Sequence, residues 1–307
     1  MLYLPPSKED TPETIRFVTE DLPRFYAALD RAVRPDSTLD TETFRAAYLR
    51  SGTAGLRAFD ALSIGGAERL AAVVQERRDY YDAIRPAVLA LHTDAVLRDS
   101  VRSALARFEA LYPDASFPDV TFVVGRLNTG GTVSSRGLLI GVELFTRGPG
   151  TPTVGFTAWQ RAKATSPEAL PHIVVHEVVH AQQRLRTLMR PSLLSRALIE
   201  GGADFVASLA TGRTLAADAH TYGMQHEAEV WRDFAAAMNG KDLSGWFYGT
   251  PTDPERPADL GYFLGYRIAE AYYGEASDKK AAIRAILRLR DPARLLRESG
   301  YAERFAR

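Results

Sequence analysis

The chain of 307 residues contains no cysteine. This absence excludes disulfide bonds, zinc sites built on thiolates and catalysis by a cysteine nucleophile. It leaves histidine and carboxylate side chains as the ligands for any metal ion that the chain binds.

The chain also lacks an excess of either charge and any long apolar run. Its 38 Lys and Arg residues balance 38 Asp and Glu residues, which gives no electrostatic case for binding nucleic acid or an anionic membrane. No window approaches about 18 consecutive apolar residues, so we expect no membrane-spanning helix. Hydrophobic residues make up 46% of the chain and charged residues 25%, which is typical of a soluble globular protein with a substantial core.

The sequence does contain the run His176-Glu177-Val178-Val179-His180. On a helix, residues four apart lie on one face, so His176 and His180 can bind a single metal ion. Glu177 lies about 100° round the same helix, where it can act as a general base on a water molecule beside the metal. An HExxH run on a helix is typical of zinc hydrolases.

A strand is the alternative for this run, because the β-branched residues around the histidines favour extended structure. In a strand, however, Glu177 would point to the opposite face from the two histidines. Residues 171–190 contain no glycine and no proline beyond the first position, which is too long for an ordinary strand and normal for a helix. Ser166, Pro167 and Glu168 provide a helix start with serine as the cap.

Two carboxylates follow the run, at Glu200 and Asp204, in a second segment with a helical pattern. Glu200 supplies a third metal ligand in this interpretation, and Asp204, on the same face, is placed to accept a hydrogen bond from a metal-bound histidine. Gly201 and Gly202 each cost a helix about 1 kcal/mol. We expect them to allow a close approach of this helix to the histidine helix or to the metal. The alternative for the two carboxylates is a solvated helix face.

The spacing of HExxH and ExxxD resembles the gluzincin branch of the zincin metallopeptidases, which share a thermolysin-like arrangement. The resemblance implies that His176, His180 and Glu200 hold one zinc ion per chain, that Glu177 is the base and that Asp204 is the outer-shell acid. It also implies an α+β fold that is predominantly helical, with a zincin-like core and a small β-sheet edge beside the HExxH helix.

A narrower resemblance runs over much of the chain from about residue 15 onward. The chain is similar to the DUF2268 family of predicted Zn-dependent proteases and the gliding-motility GldB-related group. The segments that carry this resemblance are residues 128–132 (NTGGT), 140–144 (IGVEL), 200–205 (EGGADF) and 256–268 (RPADLGYFLGYRI).

The compartment is left open by the sequence. Residues 1–11 are polar and contain no apolar core of a signal peptide, so a cytoplasmic protein and the mature part of an exported protein both fit. Many relatives that the chain resembles carry export signals, and the resemblance therefore favours the periplasm or cell envelope.

Hydrophobic periodicity predicts mostly helices around a small sheet. The predicted helices cover residues 21–33, 39–50, 56–91, with a break near the glycines at 65 and 66, and 94–111. Residues 112–118 mark a boundary, after which residues 120–127 and 137–145 are rich in β-formers. We expect an N-terminal helical part over residues 1–115 and a zincin-like catalytic part over residues 116–307, together forming one compact unit.

The two β-rich stretches predict a hairpin or two adjacent strands. In zincins the strand before the zinc helix often forms the sheet edge along the cleft, and an extended peptide can pair with such an edge through main-chain hydrogen bonds. Residues 137–145 are the candidate for that edge strand, and a purely structural hairpin is the alternative.

Peptide hydrolysis builds negative charge on the carbonyl oxygen, and a donor beside the metal would stabilise it. Tyr262 and Tyr266 lie four residues apart on one helix face, and Arg267 is adjacent to the second. We expect the donor among these three residues, with Tyr266 first, while Tyr222 and His226 are second choices. Core or surface aromatics beside a structural ion pair are the alternative.

The sequence therefore predicts a zinc-dependent peptidase that acts on a peptide or protein substrate. Two other functions stay open: a zincin-fold binding or assembly protein of the envelope with a structural metal, and a metal-dependent hydrolase of a non-peptide amide. Glu177 counts against the binding protein, because a structural site needs no base beside its ligands. The sequence gives no indication of the oligomeric state.

Overall fold

The computed structural model describes residues 11–183, 191–215, 217–247 and 256–306. The fold is predominantly helical with a small four-stranded sheet, so the predicted α+β class is confirmed. The chain divides into two compact units. The first comprises residues 1–103, 116–156 and 160–174, and the second comprises residues 104–115, 157–159 and 175–307. The division at residue 115 that we predict from the sequence stays a prediction.

Helices occupy most of the chain from residue 21 to residue 111. They are α1 (Asp21–Ala32), α2 (Thr41–Phe44), α3 (Ala54–Phe59), α4 (Ala67–Glu76), α5 (Arg78–Leu91) and α6 (Ala95–Leu111). Two of them continue as π-helical segments, α2 over Arg45–Arg50 and α3 over Asp60–Ile64. The predicted break at Gly65 and Gly66 is confirmed, since both have positive φ angles, of 72° and 102°.

The sheet belongs to the first unit. Its strands are β1 (Phe17–Val18), β2 (Val120–Val123), β3 (Gly131–Ser134) and β4 (Gly137–Gly141), in the spatial order β1-β2-β4-β3. Strands β1, β2 and β4 run parallel, and β3 is antiparallel to β4. The two predicted β-stretches are therefore adjacent, but they do not form a hairpin with each other, because the hairpin is made by β3 and β4.

The prediction that residues 137–145 form the sheet edge is wrong. Strand β4 pairs on one side with β2 and on the other with β3, which takes the edge position. Strand β3 is short and begins at the second of two glycines, so its sequence alone shows little β-propensity. A tight turn fixes the pairing, since Ser134 Oγ accepts from the Arg136 amide at 3.0 Å and Gly137 has a φ of 99°.

The later helices are α7 (Ala158–Lys163), α8 (Leu170–Gln182), α9 (Leu193–Thr211), α10 (Ala217–Gln225), α11 (Glu227–Ala237), α12 (Leu260–Glu275), α13 (Lys279–Arg288) and α14 (Pro292–Glu298). Among the residues that the structure describes, no helix is long and apolar enough to cross a membrane.

Helices α9 and α12 of the second unit approach each other through glycine. A Cβ atom placed on Gly201 would lie 2.3 Å from the Tyr262 carbonyl oxygen, and one on Gly265 would lie 1.7 Å from the Ala197 carbonyl oxygen. Only glycine fits at such distances. The sequence predicts a close approach for α9, but its expected partner, the histidine helix or the metal, is wrong. The partner of Gly201 is α12, and Gly202 faces Ile286 of α13.

Candidate metal centre

Helix α8 carries the HExxH run. Ser166 precedes it in extended conformation and Pro167 begins a 3-10 turn that leads into the helix at Leu170. The helix is confirmed as far as Gln182, and residues 184–190 of the predicted stretch lie outside the described residues. Its apolar face is formed by fully buried valines, Val174, Val175, Val178 and Val179.

The structure brings together the two histidines of α8 and the glutamate of α9. His176 Nε2 lies 2.9 Å from His180 Nε2. Glu200 Oε2 lies 3.8 Å from His176 Nε2 and 3.4 Å from His180 Nε2. One donor atom from each of these side chains therefore faces the same point. Within the described ranges these three residues form the one group of this kind.

The spacing of these donor atoms fits a small divalent metal ion. Zinc binds histidine nitrogen and carboxylate oxygen at about 2.0–2.2 Å. The three measured separations define a triangle whose corners are all about 2.0 Å from a common centre. A set of two imidazoles and one carboxylate is also the ligand chemistry of catalytic zinc sites, which keep one position open for water or substrate.

Asp204 holds the first histidine. Its Oδ1 lies 2.7 Å from His176 Nδ1, and its side chain is largely buried. An ionised carboxylate only accepts hydrogen bonds, so Nδ1 carries the hydrogen and Nε2 presents its lone pair towards Glu200. The contact is the one that the spacing of Glu200 and Asp204 on α9 predicts.

Gln183, which the sequence does not single out, contacts the second histidine, His180. Its Oε1 lies 2.7 Å from His180 Nδ1, and its Nε2 donates to the Ile199 carbonyl at 3.0 Å. Gln183 follows the last residue of α8, three positions after His180, and this spacing permits the contact but does not by itself predict it.

Arg196 contacts the third candidate ligand, Glu200, and the sequence does not single it out either. Its Nη1 lies 3.3 Å from Glu200 Oε1, the oxygen that does not face the histidines. The two residues are four apart on α9, a spacing that favours an ion pair. Each of the three candidate ligands thus has a described polar contact that can orient it.

Glu177 is the unpaired carboxylate of the site. Within the described part of the chain, no residue forms a hydrogen bond or an ion pair with it. Burial raises the pKa of the Glu177 carboxyl above its ordinary value, and it outweighs the opposing effect of His180 and His176. The raised pKa makes this carboxylate a better proton acceptor than a solvated one.

His180 and Glu200 form a strongly coupled pair. Burial alone lowers the pKa of His180, but Glu200 together with Glu177 and Gln183 outweighs it and raises that pKa to about 9. Burial raises the pKa of Glu200, yet His180 together with His176 and Arg196 outweighs it and lowers the Glu200 pKa to about 2. Without a metal ion the imidazole is therefore held as a cation beside an anion, and a divalent cation would replace that positive charge.

The three expected donors on α12 have other described contacts. The Tyr266 hydroxyl lies 3.0 Å from Ser208 Oγ, eight residues past Glu200 on α9, which is about 12 Å along a helix axis. Arg267 Nε donates to Glu227 at 2.8 Å. Tyr262 is buried, and its backbone lies against Gly201, the neighbour of Glu200.

Arg267 also pairs with Glu270, and Tyr301 donates to the same Glu227 oxygen at 2.8 Å. The sequence leaves a structural ion pair open as the alternative role of Arg267, and these contacts are of that kind. The second choices form a separate pair, since the rings of Tyr222 and His226 stack with centroids 4.3 Å apart.

Comparison with known protein families finds a match. The model of a family described as a predicted Zn-dependent protease (DUF2268) matches residues 152–288, somewhat less than half of the chain. The matched stretch contains all of the candidate ligands, the Glu177 carboxylate and the orienting residues. The match supports the resemblance to this family. No curated protein and no solved structure matches the chain.

Proposed function

We propose that the chain is a zinc-dependent peptidase of the gluzincin type, with a zincin-like catalytic core. The observation that carries the proposal is the convergence of His176, His180 and Glu200 at metal-binding distances, next to the unpaired carboxylate of Glu177. A structural metal site would need the ligands but no free carboxylate beside them.

His176, His180 and Glu200 would hold the zinc ion, each through one atom. Zinc bound there would supply a Lewis acid that polarises an amide carbonyl and lowers the pKa of water. Glu177 accepts a proton from the attacking water through its carboxylate and passes that proton to the leaving amine nitrogen. The raised pKa of its carboxyl suits both halves of this transfer, because the group must first accept the proton and later release it.

The orienting residues limit the freedom of the ligands. Asp204 keeps His176 in the tautomer that offers Nε2. Arg196 engages Glu200 Oε1 and leaves Oε2 towards the histidines. A site fixed in this way needs little rearrangement when substrate binds.

Tyr262, Tyr266 and Arg267 are the proposed donors to the carbonyl oxygen. The backbone contacts of Tyr262 and Tyr266 with Gly201 support the two tyrosines, since they place α12 beside the turn of α9 that carries Glu200. Replacing the donor tyrosine by phenylalanine is expected to lower kcat about 10²-fold with little change in KM. An unchanged kcat in both Tyr262→Phe and Tyr266→Phe would remove the tyrosines from this role.

The test combines metal analysis with a cleavage assay. The purified chain is expected to contain one zinc ion and to cleave members of a peptide library, and a chelator is expected to abolish cleavage. The Glu177→Gln variant should keep zinc and lose turnover, whereas Glu275→Gln, at an exposed position of α12, should keep both.

Cleavage retained by Glu177→Gln would contradict the assigned base. Zinc bound at full stoichiometry with no cleavage of any library member would favour the structural-metal alternative instead. Absence of zinc from a folded chain would remove the whole proposal.

A further inference from the structure

The side-chain amide of Gln183 links the two helices that carry the candidate ligands. Its oxygen lies 2.7 Å from His180 Nδ1 on α8, and its nitrogen donates to the carbonyl of Ile199 on α9 at 3.0 Å. Ile199 directly precedes Glu200, so the amide joins one ligand residue to the neighbour of another. The Gln183 side chain is buried, which protects both hydrogen bonds from water.

The two bonds together determine the orientation of the amide. A backbone carbonyl can only accept a hydrogen bond, so the nitrogen of the amide must face Ile199. The oxygen of the amide must then face His180, where it can only accept. It follows that His180 Nδ1 carries the hydrogen, and that in the neutral ring Nε2 holds the lone pair that faces Glu200 and His176.

The two histidines are oriented by partners of different charge. His176 has the carboxylate of Asp204 and His180 has a neutral amide. With a divalent cation present, Glu177, Glu200 and Asp204 supply three negative charges and Arg196 one positive charge. The cation therefore brings the site to neutrality, and a second carboxylate in place of Gln183 would leave an excess negative charge.

We propose that Gln183 is a positioning residue of the metal centre, which selects the metal-binding tautomer of His180 and fixes this histidine relative to Glu200. The proposal rests on the proposed function in one respect only, namely that His176, His180 and Glu200 bind a metal ion. Loss of such an orienting partner typically weakens metal binding about 10- to 100-fold.

The test measures zinc affinity by competition with a chromophoric chelator, without reference to peptidase activity. Gln183→Met has a similar volume but cannot accept from the imidazole, and it is expected to bind zinc about 10- to 100-fold more weakly than the original chain. Gln183→Glu keeps an acceptor for His180 but loses the donor to the Ile199 carbonyl, so it should recover only part of the affinity.

Gln182→Met is the matched control. Gln182 is the preceding residue, is also buried and donates to the Val178 carbonyl of its own helix at 3.0 Å. Its replacement should change zinc affinity less than about 3-fold, which is below the range for loss of an orienting partner. Unfolding in urea, measured on each zinc-free variant, separates loss of metal binding from loss of the fold.

A second readout reports the tautomer directly. In the zinc-loaded chain labelled with ¹⁵N histidine, His180 should show a slowly exchanging hydrogen on Nδ1, and this signal should be lost or broadened in Gln183→Met but kept in Gln182→Met. Equal zinc affinity and an unchanged His180 signal in Gln183→Met would overturn the proposal for Gln183 while leaving the peptidase proposal intact. Weakened zinc binding in that variant, in a chain that cleaves no peptide, would support the role of Gln183 and contradict the peptidase. If the original chain bound no zinc, both would fall.

Discussion

The guanidinium of Arg196 contacts only one of the two oxygens of the Glu200 carboxylate. Its Nη1 lies 3.3 Å from Oε1, while Oε2 faces the two histidines. The carboxylate thus has one oxygen engaged by a cation of its own helix and the other directed to the candidate metal position. This relationship favours coordination through a single oxygen, and it supplies a positive charge next to a buried anion.

Removal of that cation is expected to weaken metal binding. In Arg196→Met the Glu200 carboxylate loses the cation that engages its Oε1, so we expect zinc affinity to fall about 10-fold. The matched control is Arg294→Met on α14, where Arg294 pairs with Glu298 at the same spacing of four residues but on the exposed surface. Chelator competition should show no change for the control, and equal affinities for both variants would exclude an orienting role for Arg196.

Neutralising Asp204 should also weaken zinc binding, measured by the same chelator competition. Asp204→Leu removes the acceptor for His176 Nδ1 and frees the other tautomer, so metal affinity or activity should fall about 10- to 100-fold. Ser208→Ala, one turn further along α9, removes a hydroxyl that bonds the Phe205 carbonyl and contacts Tyr266 but no histidine. It should leave the metal affinity unchanged. A zinc affinity in Asp204→Leu equal to that of the original chain would contradict the orienting role of Asp204 towards His176.

The glycine contact between α9 and α12 predicts a stability difference within one helix. Gly265→Ala would place a Cβ atom 1.7 Å from the Ala197 carbonyl oxygen, so the helices must separate, at a cost of about 1–3 kcal/mol or more. Gly274→Ala on the same helix meets no atom within 4 Å, and it should raise the free energy of unfolding by up to about 1 kcal/mol. Urea unfolding of the two variants checks the opposite signs, and equal stabilities would contradict the close packing.

A buried carboxylate in the first unit predicts a pH dependence of stability. Glu143 is fully buried, and its oxygens accept from the amides of Gly125 at 2.8 Å and Leu127 at 3.0 Å. Burial raises the pKa of Glu143 to about 7, although these backbone donors oppose the shift. The group is therefore protonated more readily in the folded chain than in the unfolded chain.

The sign of the effect follows from this raised pKa. The contribution of Glu143 to stability is fully present below about pH 4.5 and is lost as the pH rises through about 7. The loss is at most about 3 kcal/mol. We expect the free energy of unfolding to fall between pH 5 and pH 8, and to fall less in Glu143→Gln. The comparison uses the pH change within each protein, so a general loss of stability in the variant does not affect it. An identical pH change in both proteins would contradict the raised pKa.

The proximity of the candidate ligands could be predicted from the sequence because it depends on helix geometry. His176 and His180 are four residues apart on one helix, as are Glu200 and Asp204 on another, and such pairs share a face whatever the rest of the fold does. The meeting of the two pairs is a tertiary contact, and the prediction of it depends on the resemblance to known zinc proteases.

The orienting residues Gln183 and Arg196 could not be predicted in the same way. Glutamine and arginine are common on helix surfaces, and no spacing distinguishes a residue that contacts a ligand from one that faces solvent. The edge position of β3 and the packing of Gly201 against α12 also cannot be predicted from the sequence, for a related reason. A sequence shows that a glycine permits close approach, but not which element approaches.

On helix α9, the side chain of Glu200 and the contact of Gly201 with α12 lie on faces about 100° apart. On the second face, main-chain atoms of α12 lie directly against Gly201. The atoms nearest to a Cβ placed on Gly201 are backbone atoms of α12, so a shift of α12 would press directly on the residue next to Glu200. A change that tilts α12, however far from the histidines, would therefore displace Glu200 relative to the two histidines of α8.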